Sequence, residues 1–144
     1  MKIRKGKISD ARKILNLLNS ASELHASKTN SDYDLSFVKA ILKDKKSSIV
    51  LVCEENKKIA GFMIGLLWPK IQEAFTLDTF VKLKFRKRGI ATKLTKNYEQ
   101  ILRKKGYKWI TSLVLIDNIK MQKLKSKLNY EKGKQFYCYF KEIK

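Results

Sequence analysis

The chain has 144 residues but only one histidine, one proline and two cysteines, and each shortage removes a kind of chemistry. His25, alone in the polar stretch "ELHASKTNSD", leaves no clustered His and Cys ligands for a structural zinc site. It reads as a surface or loop residue rather than a ligand or base. Cys53 and Cys138 each sit in a strand-like apolar run, the setting of buried, reduced thiols rather than of a disulfide framework. The opening "MKIRKGKISD" lacks the apolar core of a secretory signal. Nothing approaches the roughly 20 apolar residues of a membrane span. The expectation is a soluble, cytoplasmic protein with no membrane partner.

Negative charge is scarce as well. Asp and Glu number 13 against 33 Lys and Arg, a formal net charge of +20, whose field favours anionic partners. Most of the excess is lysine spread from Lys2 to Lys144. A biased nucleotide composition produces that spread as readily as selection for nucleic acid does, so charge alone names no partner. No repeat, linker or low-complexity tract divides the chain, and its length suits a single domain over residues 1–144 that needs neither disulfide nor metal for its core.

Hydrophobic spacing supplies the element order. "KIRK" is a short strand, and Ser9 can cap a helix carrying Ile14, Leu15, Leu17, Leu18 and Ala21. The polar segment 22–33 reads as a loop or poorly formed helix, and Asp34 to Leu42 as a second helix. "SSIVLVCEENKKIAGFMIGLLW" gives two strands joined by a tight turn at Glu55 to Lys58. Pro69 ends the second, and "EAFTLDTFVK" begins a third long strand. After it comes a helix striped with Ile90, Ala91, Leu94, Tyr98, Ile101 and Leu102, with Gly106 at its C-terminal cap. "WITSLVLI" reads as a buried strand, Ile119 to Leu128 as an amphipathic helix and "QFYCYFKEI" as a closing strand. The order βααβββαβαβ is an α+β or mixed α/β layer structure, with a parallel, right-handed strand-helix-strand unit from Glu73 to Ile116. Trp68 and Trp109 read as core or pocket wall.

The stretch "FRKRGIATKL", residues 85–94, lies where that third strand feeds a helix. A helix start presents unpaired N–H groups and the positive end of its dipole, a setting for phosphate. Gly89 and Ala91 let an anion approach the main chain, and Arg86, Lys87 and Arg88 add charge. The pattern is neither G-x-x-x-x-G-K-[ST] nor G-x-G-x-x-G. It matches [QR]-x-x-G-x-[GA] through Arg86, Gly89 and Ala91, and there the chain resembles the GNAT superfamily of acetyl-CoA-dependent N-acyltransferases. "ITSLVLIDNIKMQKLKSKLNY" is similar to the family's next strand and its N-x-x-A-x-x-[LF]-Y-E-K-x-G-F segment. Asn118, Leu124, Lys127 and Tyr130 match that segment, whereas Met121, Lys125, Ser126 and Asn129 replace its alanine, tyrosine, glutamate and glycine.

The resemblance implies a central mixed, mostly antiparallel sheet flanked by helices, with a splayed parallel strand pair. It also implies acetyl-CoA as cofactor and direct acyl transfer to an amine without a covalent enzyme intermediate. The pyrophosphate then falls on Arg86, Lys87, Arg88, Gly89, Ile90, Ala91 and Thr92, with Asn118 nearby. Backbone groups of Phe80, Val81 and Lys82 receive the pantetheine arm, and an N–H at or beside Val81 polarises the thioester carbonyl.

An amine with pKa near about 10.4 must lose a proton before attack, and Asp78 is the candidate base, with Glu73 second; the alternative for Asp78 is a structural carboxylate at the splay. Lys125, in place of the family tyrosine, either stabilises the departing thiolate or faces solvent on a lysine-rich helix. Tyr137 and Tyr139 are further proton donors or core residues.

The leading reading is an N-acetyltransferase acting on a small-molecule or protein amine, with acidic or neutral acceptors favoured over polycations. The alternatives are a CoA-binding domain without catalysis and a basic nucleic-acid-binding module, for which no reading signature is present. A homodimer remains open, since "QFYCYF" could pair across an interface.

Overall fold

In the computed structural model, which describes residues 1–21, 24 and 33–144, the two long apolar runs form the middle of one sheet. Strands β2 (Ser48–Glu55) and β3 (Lys58–Trp68) are joined through Asn56 and Lys57. Both turn residues have positive φ, 49° and 61°, which matches the twist of the flanking strands. Strand β1 (Lys2–Lys5) pairs antiparallel with β2, β4 (Glu73–Val81) antiparallel with β3, and β5 (Trp109–Ser112) parallel with β4. The spatial order is β1-β2-β3-β4-β5. Helices α1 (Ala11–Ser20) and α2 (Leu35–Lys43) precede β2, α3 (Ile90–Lys104) joins β4 to β5, and α4 (Ile119–Lys127) follows. This is the expected α+β class, with the expected parallel crossover.

Alternation along β2 divides the core into two layers. Val50 and Val52 pack with Ile14, Leu18, Val38 and Leu42 beneath α1 and α2. Leu51 and Cys53 pack with Ile90, Leu94, Tyr98 and Leu102 beneath α3. A strand covered on both faces reads as an unbroken apolar run, which is why "SIVLVC" gave so clear a signal. At the opposite edge, Arg4 reaches Asp10 at 2.7 Å and Glu54 at 2.8 Å. The Arg4 hydrogen bond holds the buried Asp10 carboxyl below its ordinary range. One guanidinium thus ties β1, the approach to α1 and the end of β2.

The carboxyl-terminal readings need correction. Of "WITSLVLI" only Trp109–Ser112 is strand, and Trp109 and Leu113 are 70% and 69% exposed rather than buried. The closing strand is absent: residues 131–144 have no regular structure and are exposed, so Cys138 is an exposed thiol while Cys53 is buried as expected. Trp68 is also exposed. Helix α4 buries only Lys125, so it lacks the expected apolar face. The cause is shared, since strand residues are buried only when a neighbour covers them and, among the described residues, β5 pairs with β4 alone. His25 lies outside the described residues.

Tyr98 lies so close to Gly65 that a Cβ there would collide with its ring. Gly65→Ala should therefore destabilise the protein by about 1–3 kcal/mol in a denaturant titration. Tyr98→Phe should be neutral or stabilising in the same experiment, because the buried Tyr98 hydroxyl has no hydrogen-bond partner among the described residues.

Candidate functional site

Strand β4 has nine residues, but its ladder with β5 runs only from Glu73 opposite Trp109 to Thr76 opposite Ser112. From Leu77 to Val81 it keeps β3 on one side and, among the described residues, has no strand on the other. The Lys82 N–H donates to the Ala60 carbonyl at 2.9 Å. Antiparallel alternation then turns the N–H and C=O of Val81 away from β3, towards the open edge. The Arg86 Nε–H donates to that Val81 carbonyl at 2.8 Å, and the Val81 N–H faces the gap. The expected splay is present, and Phe80, Val81 and Lys82 border it.

A bulge sets the side chains beside this gap. Ile64 faces Asp78 and Gly65 faces Thr76, so Leu77 is an extra residue in β4. Ala74 belongs to the layer under α3, whereas Phe80, an even number of residues later, belongs to the layer under α1 and α2. The same change of face puts Asp78, 5% exposed, on the α1 and α2 side.

The chain passes from Val81 through a short turn into α3. Lys87 has φ 62° and Gly89 φ 74°, a left-handed conformation that favours glycine. Gly89 is the N-cap of this 15-residue helix and no side chain caps it. The first bond closed onto the cap is the Lys93 N–H to the Gly89 carbonyl at 3.0 Å, so the N–H groups of Ile90, Ala91 and Thr92 have no intrahelical acceptor. A Cβ built on Gly89 meets nothing within 4 Å, so the ground in front of these donors is open. This geometry accepts a phosphate through main-chain N–H groups and the helix dipole, and the residues present fit the pyrophosphate of coenzyme A.

The basic side chains here are partly engaged. Arg86 is drawn back to Val81 and lies 5.6 Å from the Phe80 ring centroid. Arg88 makes a two-pronged contact with Glu55 at 2.8 and 2.6 Å, an exposed pair that water keeps weak. Lys82 borders a hollow of about 280 Å³ with Lys13, Asn16, Leu17, Lys57, Lys58 and Ile59. Burial and the charges of Lys84, Lys58 and Lys13 hold the Lys82 ammonium below its usual pKa. Neither Glu55 nor this group of lysines carried a sequence signal, because each is assembled from segments far apart in the chain.

The remaining candidates lie on other elements. Asn118 caps α4, its Oδ1 accepting from the Met121 N–H at 3.1 Å. Lys125 does not face solvent. It is 8% exposed, its Nζ has no hydrogen-bond partner among the described residues, and it sits 4.2 Å from the Tyr130 ring centroid. Burial lowers its pKa to about 8, with Glu99 of α3 opposing. Glu99 is ten residues beyond Gly89, or about 15 Å along the helix. Lys125 therefore belongs to the α3 side and Asp78 to the α1 and α2 side, with the sheet between them. Glu73 begins β4 in the closed part of the ladder and accepts a hydrogen bond from Thr111. Tyr137 and Tyr139 are exposed in the terminal segment.

With this geometry in place, the comparisons identify the class. The sequence model of the acetyltransferase (GNAT) family matches residues 11–130, and the chain belongs to that family. It is an acyltransferase whose cosubstrate is acetyl-CoA. Among solved structures, an aminoglycoside acetyltransferase from an uncultured soil metagenomic sample superposes with a TM-score of 0.79 at 18% identity, covering 99% of this chain and 96% of that one. The aminoglycoside N-acetyltransferase AAC(6')-Iy with CoA gives a TM-score of 0.78 at 18% identity, covering 99% and 100%. A ribosomal-protein-alanine N-acetyltransferase from Brucella melitensis biovar Abortus 2308 gives 0.75 at 16%, covering 97% and 99%. These identities establish a shared fold. No curated protein matches the chain. No helix among the described residues is long and apolar enough to cross a membrane.

The Lys125 environment yields a pH signature. Its folded pKa of about 8 lies below the ordinary value of 10.5, so the unfolded chain binds more protons between these values and stability rises with pH across that window. Below pH 8 the buried charge costs on the order of 3 kcal/mol. Lys125→Met should raise Tm at neutral pH, and its advantage should shrink as pH rises from 8 towards 10.5.

Proposed function

We propose that this acetyltransferase moves an acetyl group directly from acetyl-CoA to the primary amine of an acidic or neutral small molecule. The observation carrying this reading is the parting of β4 from β5 after Thr76, at the strand end that feeds the open start of α3. When bound, acetyl-CoA supplies the acyl group as an activated thioester. The N–H groups from Gly89 to Thr92 hold the pyrophosphate, and Lys87 and Arg88 add charge. The backbone of Phe80 to Lys82 lines the pantetheine arm, and the Val81 N–H polarises the thioester carbonyl. Asn118 shapes the far wall through the start of α4.

Asp78 takes the proton released as the amine attacks. Its burial on the α1 and α2 side, beside the bulge, supports a base approached from the face opposite α3. A thiol of pKa about 8.5 leaves near neutral pH without a donor, so this reading requires no acid in the position of Lys125. Lys13, Lys57, Lys58 and Lys82 around one hollow disfavour polycationic acceptors. That charge separates this chain's proposed substrate from the aminoglycosides named for its structural neighbours. The two cysteines are free, which suits the same proposal's reducing cytoplasm. Nucleic acid has no place in this reading, because the start of α3 accounts for the densest basic run.

Calorimetry near physiological salt should show wild type binding acetyl-CoA selectively over ATP, with binding lost in Gly89→Glu while the fold is retained by circular dichroism. Equal, salt-sensitive binding of both anions would reduce the cradle to a basic patch. Thiol release with a panel of amines should then show faster turnover of acidic than polycationic acceptors, and at least a tenfold fall in kcat for Asp78→Asn. A smaller fall would make Asp78 structural.

A further inference from the structure

Lysines from three separate parts of the chain converge on the hollow of about 280 Å³ beside α1. Lys13 comes from α1, Lys57 and Lys58 from the β2-β3 turn and the start of β3, and Lys82 from the residue after β4. Leu17 and Ile59, both buried in the layer under α1 and α2, give the hollow an apolar floor. No carboxylate lines it, and among the described residues none of the four ammonium groups forms an ion pair. Asp10 and Glu54 feel the charge of Lys13, but Arg4 already holds both.

Like charges gathered without a counterion work against the fold. Burial, then the charges of Lys84, Lys58 and Lys13, keep the Lys82 ammonium below its ordinary pKa. Lys57 has φ 61°, at a turn position where glycine is favoured, so a charge stands at the rim where a smaller residue would turn more easily. Scattered surface lysines have neither this convergence nor this mutual repulsion. An anion of more than one charge would relieve it.

We propose that this hollow is a second anion site, which takes the dianion of a small phosphate monoester. Such a group carries a charge of about −1.5 to −2 at neutral pH and three acceptor oxygens, and ammonium groups on flexible stems can close on it from several sides. The volume falls just below the roughly 300–1,000 Å³ of drug-sized pockets. It suits a phosphate with a short carbon skeleton lying on Leu17 and Ile59, and it is too small for a nucleotide. The site is distinct from the start of α3, where main-chain N–H groups are the donors, and it is expected whether or not the acetyl transfer proposed above takes place. Asp78 lies four residues before Lys82, about 13 Å along the strand, so the phosphate of an amine acceptor and that of a separate effector offer the same chemistry here.

Calorimetry on the full chain with glycerol phosphate, and with glycerol as the uncharged control, should show one site that Gly89→Glu and saturating CoA leave in place. The pair Lys13→Gln with Lys58→Gln should weaken it at least tenfold and leave CoA binding unchanged. Without ligand the same pair should raise Tm by relieving repulsion, whereas glycerol phosphate should raise the Tm of wild type and not of the pair. Displacement of glycerol phosphate by CoA would overturn the proposal, as would undiminished binding in the folded pair or equal binding of succinate. Turnover of ethanolamine and phosphoethanolamine separates the sources. A preference for the phosphorylated amine that the pair loses would put the phosphate on the acceptor; equal rates that glycerol phosphate alters only in wild type would put it on an effector.

Discussion

The parting of β4 from β5 is the constraint to which the other features answer. Parallel pairing over four residues holds α3 against the sheet, and its end at Thr76 leaves the last five residues of β4 with one free edge. Unpaired backbone groups are costly when buried, so such an edge persists where solvent or a ligand reaches it. Here the Arg86 side chain returns to occupy the Val81 carbonyl, leaving the adjoining N–H directed at the gap. The helix that starts eight residues after Lys82 adds donors of its own, so in the proposed function the main chain would supply most of the anion and carbonyl recognition. This is why a lysine-rich, acid-poor chain can carry the site with few fixed side chains.

Much of the architecture was legible because it follows from local periodicity. The β2-β3 hairpin, α2 and the stripe of α3 depend on residues close in sequence, and they lie where spacing put them. The cradle was legible for the same reason, since Arg86, Gly89 and Ala91 belong to one strand-to-helix passage. The Leu77 bulge was hidden because it comes from register with β3, where Gly65 makes room for Tyr98. Lys125 was left between stabilising a thiolate and facing solvent, and its burial against Tyr130 was not legible because nothing in a lysine-rich helix marks that turn. At the chain end the alternation predicted a strand that the structure does not have, because alternation says nothing about which edge would receive it.

The two halves of the core also divide the chemistry. The layer under α3 contains the buried Tyr98 hydroxyl, and on the same side Lys125 is buried against the Tyr130 ring. The layer under α1 and α2 contains Asp78, moved there by one inserted residue. A single register shift thus puts the carboxylate on the side opposite α3; in the proposed function this would let an acceptor and a thioester approach the Val81 region from different faces.

The Arg88 contact with Glu55 gives the hairpin tip a stake in the cradle. Glu55 serves as an internal counterion for a guanidinium that a pyrophosphate would otherwise find surrounded by loosely held salt. In the proposed function an incoming phosphate would trade places with a carboxylate of the protein itself, so this position would release fewer mobile ions than its charge suggests. The cofactor site should consequently feel ionic strength less than a surface of net charge +20 leads one to expect.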